Sequence, residues 1–343
     1  MLYKALIRPL LFLLSPECAH RFTLACLGAM RGLPLRCTRL LFRVRHPSLE
    51  RDLFGLHFPN PVGLAGGLDK DAEYYNELSA FGFGFTEIGS LTPKPQEGQA
   101  KPRLFRLKRD KAIINRMGIN NKGVNHAIRQ LLERRPEGIL VANIAKNSST
   151  EPDMVAEDYR KAFAMLYELA DMFVVNVSCP NVEGLTELQN ISYLSDIMDE
   201  ILDMRTYMEE YRPVLVKISP DISLQQLDEI VKYCLQAGVD GIVAGNTSRT
   251  REGLSTREKR IRRIGLGGLS GAPIYKKSLE TVRHIHDFSG GRLPIVGVGG
   301  IMSPVQAKEM LDAGASLIEI YTGFIYEGPS LVKKILKYLI KNQ

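Results

Sequence analysis

The sequence predicts an α/β fold, specifically a (β/α)8 barrel, from three observations. Short apolar, β-branched runs alternate with amphipathic segments from Asn60 onward, there are eight such runs, and one helical segment is left over to close the chain. A doubly wound sheet is the alternative, but it seldom needs eight regular units and has no use for the closing helix.

Taken in order, the strand candidates are 62–65, 85–90, 139–144, 173–177, 214–218, 241–244, 295–298 and 317–321. Each is too short for a helix and rich enough in Val, Ile and Phe to be buried on both faces, as parallel strands are. Helical patterns lie at 72–81, 124–134, 155–170, 188–211, 224–237, 278–288 and 304–313, with 330–340 as the closing helix. One insertion breaks the rhythm: 103–107 and 112–115 read as a hairpin over the barrel top, joined by a charged turn at 108–111.

The first residues read differently. Residues 1–14 are apolar with Lys4 and Arg8, but Pro9 interrupts them, and the run 10–14 is too short for a signal peptide or a membrane span. Ser15-Pro16-Glu17 is a helix start, with a hydroxyl cap, proline in the first turn and an acid beside it. Two short helices, 2–14 and 16–30, follow, rich in Leu, Phe and Met. They suit a membrane-surface anchor, with packing onto the main domain as the alternative. The expected division is an N-terminal helical segment at 1–45 and a catalytic barrel at 46–343.

Composition excludes several classes. With 45% hydrophobic and 24% charged residues the chain is neither disordered nor fibrous. The net charge of +7 is spread along the chain. The arginine-rich stretch 257–263 has no aromatic interleaving and reads as a mobile, solvated loop, so no nucleic-acid partner is expected. Five cysteines without C-x-x-C spacing indicate neither a zinc site nor a disulfide framework, and no metal site is expected.

The stretch 173–181, FVVNVSCPN, turns from apolar to polar at once, and Pro180 cannot continue a ladder. Cys179 between two amides at a strand's end can act as base or nucleophile; the plain alternative is a buried cysteine before an ordinary turn. Barrel sites lie where strands end, and the other tips are also polar. They carry Asp69 and Lys70, then Ser90, Asn143 and Lys146, Lys217, and Asn246 with Thr247. GVGG and YTGF, at strands seven and eight, and the run GGLSG at 267–271 read as loops whose backbone approaches a phosphate. These features also allow a non-redox lyase or isomerase acting on a phosphorylated sugar.

Over nearly its whole length the chain resembles dihydroorotate dehydrogenase, the FMN enzyme of pyrimidine synthesis, in its membrane-associated, quinone-using class. The matching motifs are NPVGLAGGLDKD, EIGSLTPKPQEG, KPRLFRL, INRMGINNKG, NIAKN, NVSCPN, VKISPD, GNT, GGLSG, VGVGGI and IYTGF. The resemblance implies oxidation of dihydroorotate to orotate with Cys179 as base. It implies one FMN held by Ala65, Gly66, Ser90, Asn143, Asn176, Lys217, Gly271, Gly300, Tyr321 and Thr322. Substrate would be held by Lys70, Asn115, Arg116, Met117, Gly118, Ile119, Asn176, Asn181, Asn246 and Thr247. His20, Arg106 and Tyr321 would line the access path of a membrane quinone; a soluble acceptor is the alternative. The implied setting is the cytoplasmic face of a bacterial inner membrane, peripherally bound, with the chain as a monomer or weak homodimer. The class usually has serine at Cys179, phenylalanine at Ile119, glycine at Ala145 and threonine at Gly245. A cysteine base leads us to expect a rate that levels off near or below the ordinary thiol value of about 8.5.

Overall fold

The computed structural model describes residues 2–181 and 187–342. β1 (Arg51–Leu53) and β2 (Leu56–Phe58) form a short antiparallel hairpin under the molecule. β3 (Val62–Leu64) and β4 (Phe85–Leu91) begin the barrel, and β5 (Leu104–Leu107) and β6 (Ala112–Asn115) interrupt it. The barrel continues through β7 (Ile139–Ile144), β8 (Met172–Asn176), β9 (Val214–Ile218) and β10 (Gly241–Ala244). After β11 (Gly268–Gly271), β12 (Ile295–Val298) and β13 (Leu317–Ile320) complete it. Eight parallel strands close in the order β10-β12-β13-β3-β4-β7-β8-β9. The predicted (β/α)8 barrel is therefore present, each barrel strand ending within one residue of its expected bounds.

The strands read as continuous apolar runs because both faces are covered. In β8, Val174 points into the barrel beside Val141, Leu215, Val243 and Val296, while Phe173 and Val175 face the helices. Phe58 plugs the barrel's base against Phe85, ring centroids 5.5 Å apart. Gly63 has to be glycine there, since a Cβ would sit 2.2 Å from the Phe85 ring. The helices bury one stripe each. In Leu224–Ala237, capped by a reciprocal Ser223–Gln226 box, the stripe is Leu227, Ile230, Val231 and Cys234.

The structure corrects several expectations. The segment 72–81 holds only the short helix Tyr75–Ser79, because the Asp69 carboxylate accepts from the amides of Glu73 (2.9 Å) and Tyr74 (2.8 Å) and fixes a turn there. The stretch expected as a mobile loop at 257–263 is a helix, Glu258–Ile264. Its arginines are solvated, but Ile261 and Ile264, three apart, pack on Leu107, Ile114 and Leu269. The 267–271 run, expected as a phosphate loop, is largely strand β11. It pairs with β6 from Gly268 opposite Asn115 to Gly271 opposite Ala112, so the predicted hairpin is a three-stranded sheet.

At the N-terminus Ser15 caps the helix Pro16–Gly28 as predicted, accepting from the Cys18 amide at 3.3 Å. Residues 2–14 are less regular, with a wide turn at Tyr3–Ile7 and a single α-turn at Arg8–Leu11. A third helix, Leu33–Phe42, was not foreseen; it carries Pro34 in its first turn, where proline is compatible with a helix. Leu2, Leu6, Leu10 and Leu13 are exposed. No single helix among the described residues is long and apolar enough to cross a membrane; Tyr3–Leu11 and Pro16–Gly28 pass such a test only together, bent by 120°.

The segment is tied to the barrel by polar contacts. Tyr3 Oη donates to the Ile325 carbonyl (2.6 Å), Arg8 to that of Tyr326 (2.9 Å), and Arg106 to those of Leu11 (3.2 Å) and Leu14. The Arg106 guanidinium also lies over the Phe12 ring, 4.5 Å from its centroid. A charged donor's hydrogen bonds contribute roughly 1.5–3 kcal/mol. Arg106→Ala should therefore speed amide exchange in residues 8–14 by about 10- to 100-fold while leaving exchange in the barrel strands unchanged, read by mass spectrometry.

Candidate active site

A cavity of about 550 Å³ opens at the carboxyl ends of the barrel strands, within the size range of ligand sites. Its roof is the β5–β6–β11 sheet, and the helix Pro16–Gly28 closes one side with Glu17, His20, Arg21 and Leu24. Barrel closure brings to this one rim side chains more than two hundred residues apart in sequence.

The amides converge around Asn176, at the tip of β8. Its Nδ2 donates to Ser90 Oγ at 2.8 Å, and its Oδ1 accepts from the Ser178 amide at 3.2 Å and from Asn246 Nδ2 at 3.3 Å. Asn246 Nδ2 also reaches Ser178 Oγ at 3.0 Å. Across the cavity Asn181 Nδ2 donates to Asn115 Oδ1 at 3.0 Å, joining the Cys179 loop to the roof sheet. Two buried acceptors, Asn143 Oδ1 and Thr247 Oγ1, have no partner among the described residues. Such atoms are costly unless something enters to meet them.

The floor holds charge. Lys217, on β9, lies 2.8 Å from Glu87 Oε1 of β4 and 3.8 Å from Glu319 Oε2 of β13. Asn143 Nδ2 donates to the same Glu87 oxygen at 2.5 Å. Burial alone would lower the Lys217 ammonium, but the attraction of Glu87 and then Glu319 leaves it raised. Burial would likewise raise Glu87, yet the ammonium holds it below its ordinary value. Glu319 is pushed well up, by burial first and by the neighbouring Glu87 second. Neither acid was foreseen; the available signal was an acidic residue inside an otherwise apolar strand, FTEIG and LIEI.

Cys179 lines the cavity beside Asn181. Burial pushes its thiol up to about 11, partly offset by hydrogen bonding to Asn181. Desolvation of the thiolate outweighs the polar neighbours, so the thiol lies above the ordinary value of about 8.5 near which the rate was expected to level. Burial also lowers Lys70 to about 8, and its ammonium donates to the Gly67 carbonyl. Burial and the Lys70 charge lower His20 to about 3, so His20 is neutral.

Ala65, Gly66, Lys217, Gly271, Gly300, Tyr321 and Thr322 all line the cavity, as do Met117, Ile119, Asn246 and Thr247. Ile119 is left-handed, φ +52°, a strained position for a β-branched residue. Gln96 Nε2 pins it by donating to the Gly118 (3.1 Å) and Ile119 (3.0 Å) carbonyls. Arg116, Gly118 and Arg106 lie outside the lining. Arg116 reaches the carbonyls of Ile264 and Pro102, Gly118 forms a turn against Gln99, and Arg106 holds the N-terminal segment. Gly300, φ +73°, is needed for packing as well, since a Cβ would lie 2.7 Å from the Tyr275 backbone.

The family profile "Dihydroorotate dehydrogenase" matches residues 48–342. A protein of Christiangramia forsetii named dihydroorotate dehydrogenase (quinone) is 45% identical over 342 residues, 99% of each chain. One of that name from Coxiella burnetii is 45% identical over 343 residues, 99% of this chain and 97% of the other. The ligand-free DHODH structure from Eimeria tenella superposes with a TM-score of 0.86 at 32% identity, covering 95% of this chain and 94% of that one.

Removing one partner of a buried ion pair costs about 3–5 kcal/mol. Lys217→Met should lower the unfolding free energy by that amount at neutral pH. In the wild type Glu87 sits below its ordinary value, so its contribution is present above that value and lost as pH falls. Without Lys217, burial holds Glu87 above its ordinary value and the cost grows as pH rises. The gap between the two proteins should therefore shrink in acid, as measured by urea titration at neutral and mildly acidic pH.

Proposed function

The chain belongs to the dihydroorotate dehydrogenase family, and from that premise we propose that it oxidises (S)-dihydroorotate to orotate with bound FMN and a membrane quinone as acceptor, in the synthesis of UMP. The observation that carries this reading is one cavity that joins an amide cluster and a thiol to a buried lysine. The unpartnered oxygens of Asn143 and Thr247 support a polar ligand there.

Ala65, Gly66, Ser90, Asn143, Asn176 and Lys217 would hold the flavin ring, and Gly271, Gly300, Tyr321 and Thr322 its phosphate end. FMN, when bound, supplies the two-electron acceptor for the hydrogen lost from carbon six of the substrate. Asn115, Asn181 and Asn246 orient the substrate ring, and Lys70 answers its carboxylate. Cys179 takes the proton from carbon five.

His20 and the helix Pro16–Gly28 form the side of the cavity through which a quinone would approach. The exposed leucines of residues 2–13 support peripheral attachment to a bilayer, which we assign to the cytoplasmic face of a bacterial inner membrane, with the chain acting as a monomer.

The direct test is the visible spectrum. The purified protein should be yellow and should bleach when dihydroorotate is added without air; a colourless protein, or one that stays yellow, would sink the reading. Cys179→Ala should keep its flavin but lose about 10²–10⁴-fold in the rate of bleaching, the size of a general-base contribution. With the thiol near 11, the wild-type rate should keep climbing through the neutral range and past pH 9. Cys179→Ser should be slower than wild type across that range, because an alcohol is the weaker acid. Equal rates in all three proteins would place the base elsewhere.

Burial of a leucine is worth about 1.5–3 kcal/mol. Leu10→Asp combined with Leu13→Asp should therefore weaken partition onto anionic vesicles at least about tenfold in a sedimentation assay, with bleaching by dihydroorotate unchanged.

A further inference from the structure

We propose that Glu319 is a positioning residue that holds a proton in the wall of the cavity, so that the buried group Lys217, Glu87 and Glu319 is electrically neutral around neutral pH. The inference deepens the proposed function and rests on its assignment of FMN to this cavity.

The argument begins with the count of charges. Two carboxyls face one ammonium, and their side chains are 0%, 1% and 6% exposed for Glu87, Glu319 and Lys217. Were all three ionised, a net negative charge would stand in the wall without water to solvate it, which burial penalises heavily. One proton removes the excess, and the geometry says where it resides. Glu87 Oε1 receives both the near contact from Lys217, 2.8 Å, and the Asn143 amide. Glu319 receives from Lys217 the longer contact, 3.8 Å, and no amide; its Oε2, like that of Glu87, meets no donor among the described residues, as two facing carboxyl oxygens do until one of them carries a proton. Glu87 is thus the ionised member and Glu319 the neutral one. The titratable groups facing Glu319 are Glu87 from β4 and Lys217 from β9, and the two carboxyls are within hydrogen-bonding reach of each other.

The consequence concerns the cofactor's redox balance. Reduction of a flavin adds negative charge, and an ionised Glu319 in the same wall would oppose it. A neutral Glu319 leaves Lys217 balanced by Glu87 alone, so the wall does not resist that charge. A side chain of the same shape that is neutral at every pH should then reproduce its effect.

The experiment uses the purified holoprotein. Its infrared spectrum at neutral pH should contain the carbonyl band of a protonated carboxylic acid, and Glu319→Gln should remove that band. Glu87→Gln should remove it too, because Glu319 then becomes the sole counter-ion of Lys217 and ionises. The midpoint potential of the bound flavin in Glu319→Gln should match the wild type. A wild-type spectrum without the band, a band that survives Glu319→Gln, or a potential raised tenfold in redox equilibrium (about 30 mV for two electrons) would overturn the proposal. The wild-type band is read whether or not the variants fold. Absence of flavin shows separately in the visible spectrum and would sink the functional reading instead.

Discussion

A charge taken out of water has to be answered, and the Lys217 ammonium is the charge around which the floor of this barrel is arranged. It draws Glu87 from the far side of the barrel, and Glu87 in turn holds Asn143. The same carboxylate explains why β3 must continue into glycine: a Cβ on Gly66 would lie 2.3 Å from Glu87 Oε1. Backbone, amide and charge are thus fixed together. The nitrogen of the Asn143 amide is committed to the acid, and its oxygen is left buried without a partner among the described residues.

Above the floor the order is made by neutral groups. Asn176, Asn246, Ser90 and Ser178 satisfy one another, so the rim is set before any ligand arrives. The roof is stiffened by similar means. Asn121 accepts from the Gly123 amide at 2.8 Å and donates to the Ile119 carbonyl at 2.9 Å, which helps to keep Ile119 in its strained conformation. The N-terminal segment rests on this roof through Arg106 and on the barrel through Tyr3 and Arg8.

The barrel was legible because parallel strands buried on both faces spell continuous apolar runs, and eight of them leave little choice of architecture. Less was legible where a local rule has two outcomes. Gly32 and Pro34 announce a break, yet the helix Leu33–Phe42 begins there, since proline suits a first turn. The arginines of 257–263 outweighed two isoleucines whose spacing already described a buried stripe. Within the site, residues at strand tips were found because a tip's position follows from the strand. Arg106 and Arg116 escaped that logic, because a long guanidinium side chain can satisfy itself on carbonyls away from the cavity. Glu87 and Glu319 were passed over for a different reason: an isolated acid in a strand looks like an interruption until its partner on another strand is known.

Away from Lys217, three titratable groups facing the cavity share one tendency, and it bears on how the thiol can act. Burial raises Cys179 to about 11, lowers Lys70 to about 8 and lowers His20 to about 3, each toward its neutral form. An anionic substrate entering such a site favours the charged form of Lys70, which is still mostly protonated at neutral pH, and so gains a firm partner. The same anion disfavours a second negative charge and pushes the thiol further up. On the proposed assignment, binding therefore favours the charged form of Lys70 and disfavours the thiolate of Cys179. On the same assignment a thiolate beside a bound anion is opposed both by burial and by like charge. In the proposed reaction the thiol first gives its own proton to solvent and only then takes the one from carbon five, which is why the rate is expected to climb with pH, while the amides of Asn176, Asn181 and Asn246 supply dipoles that are already in place.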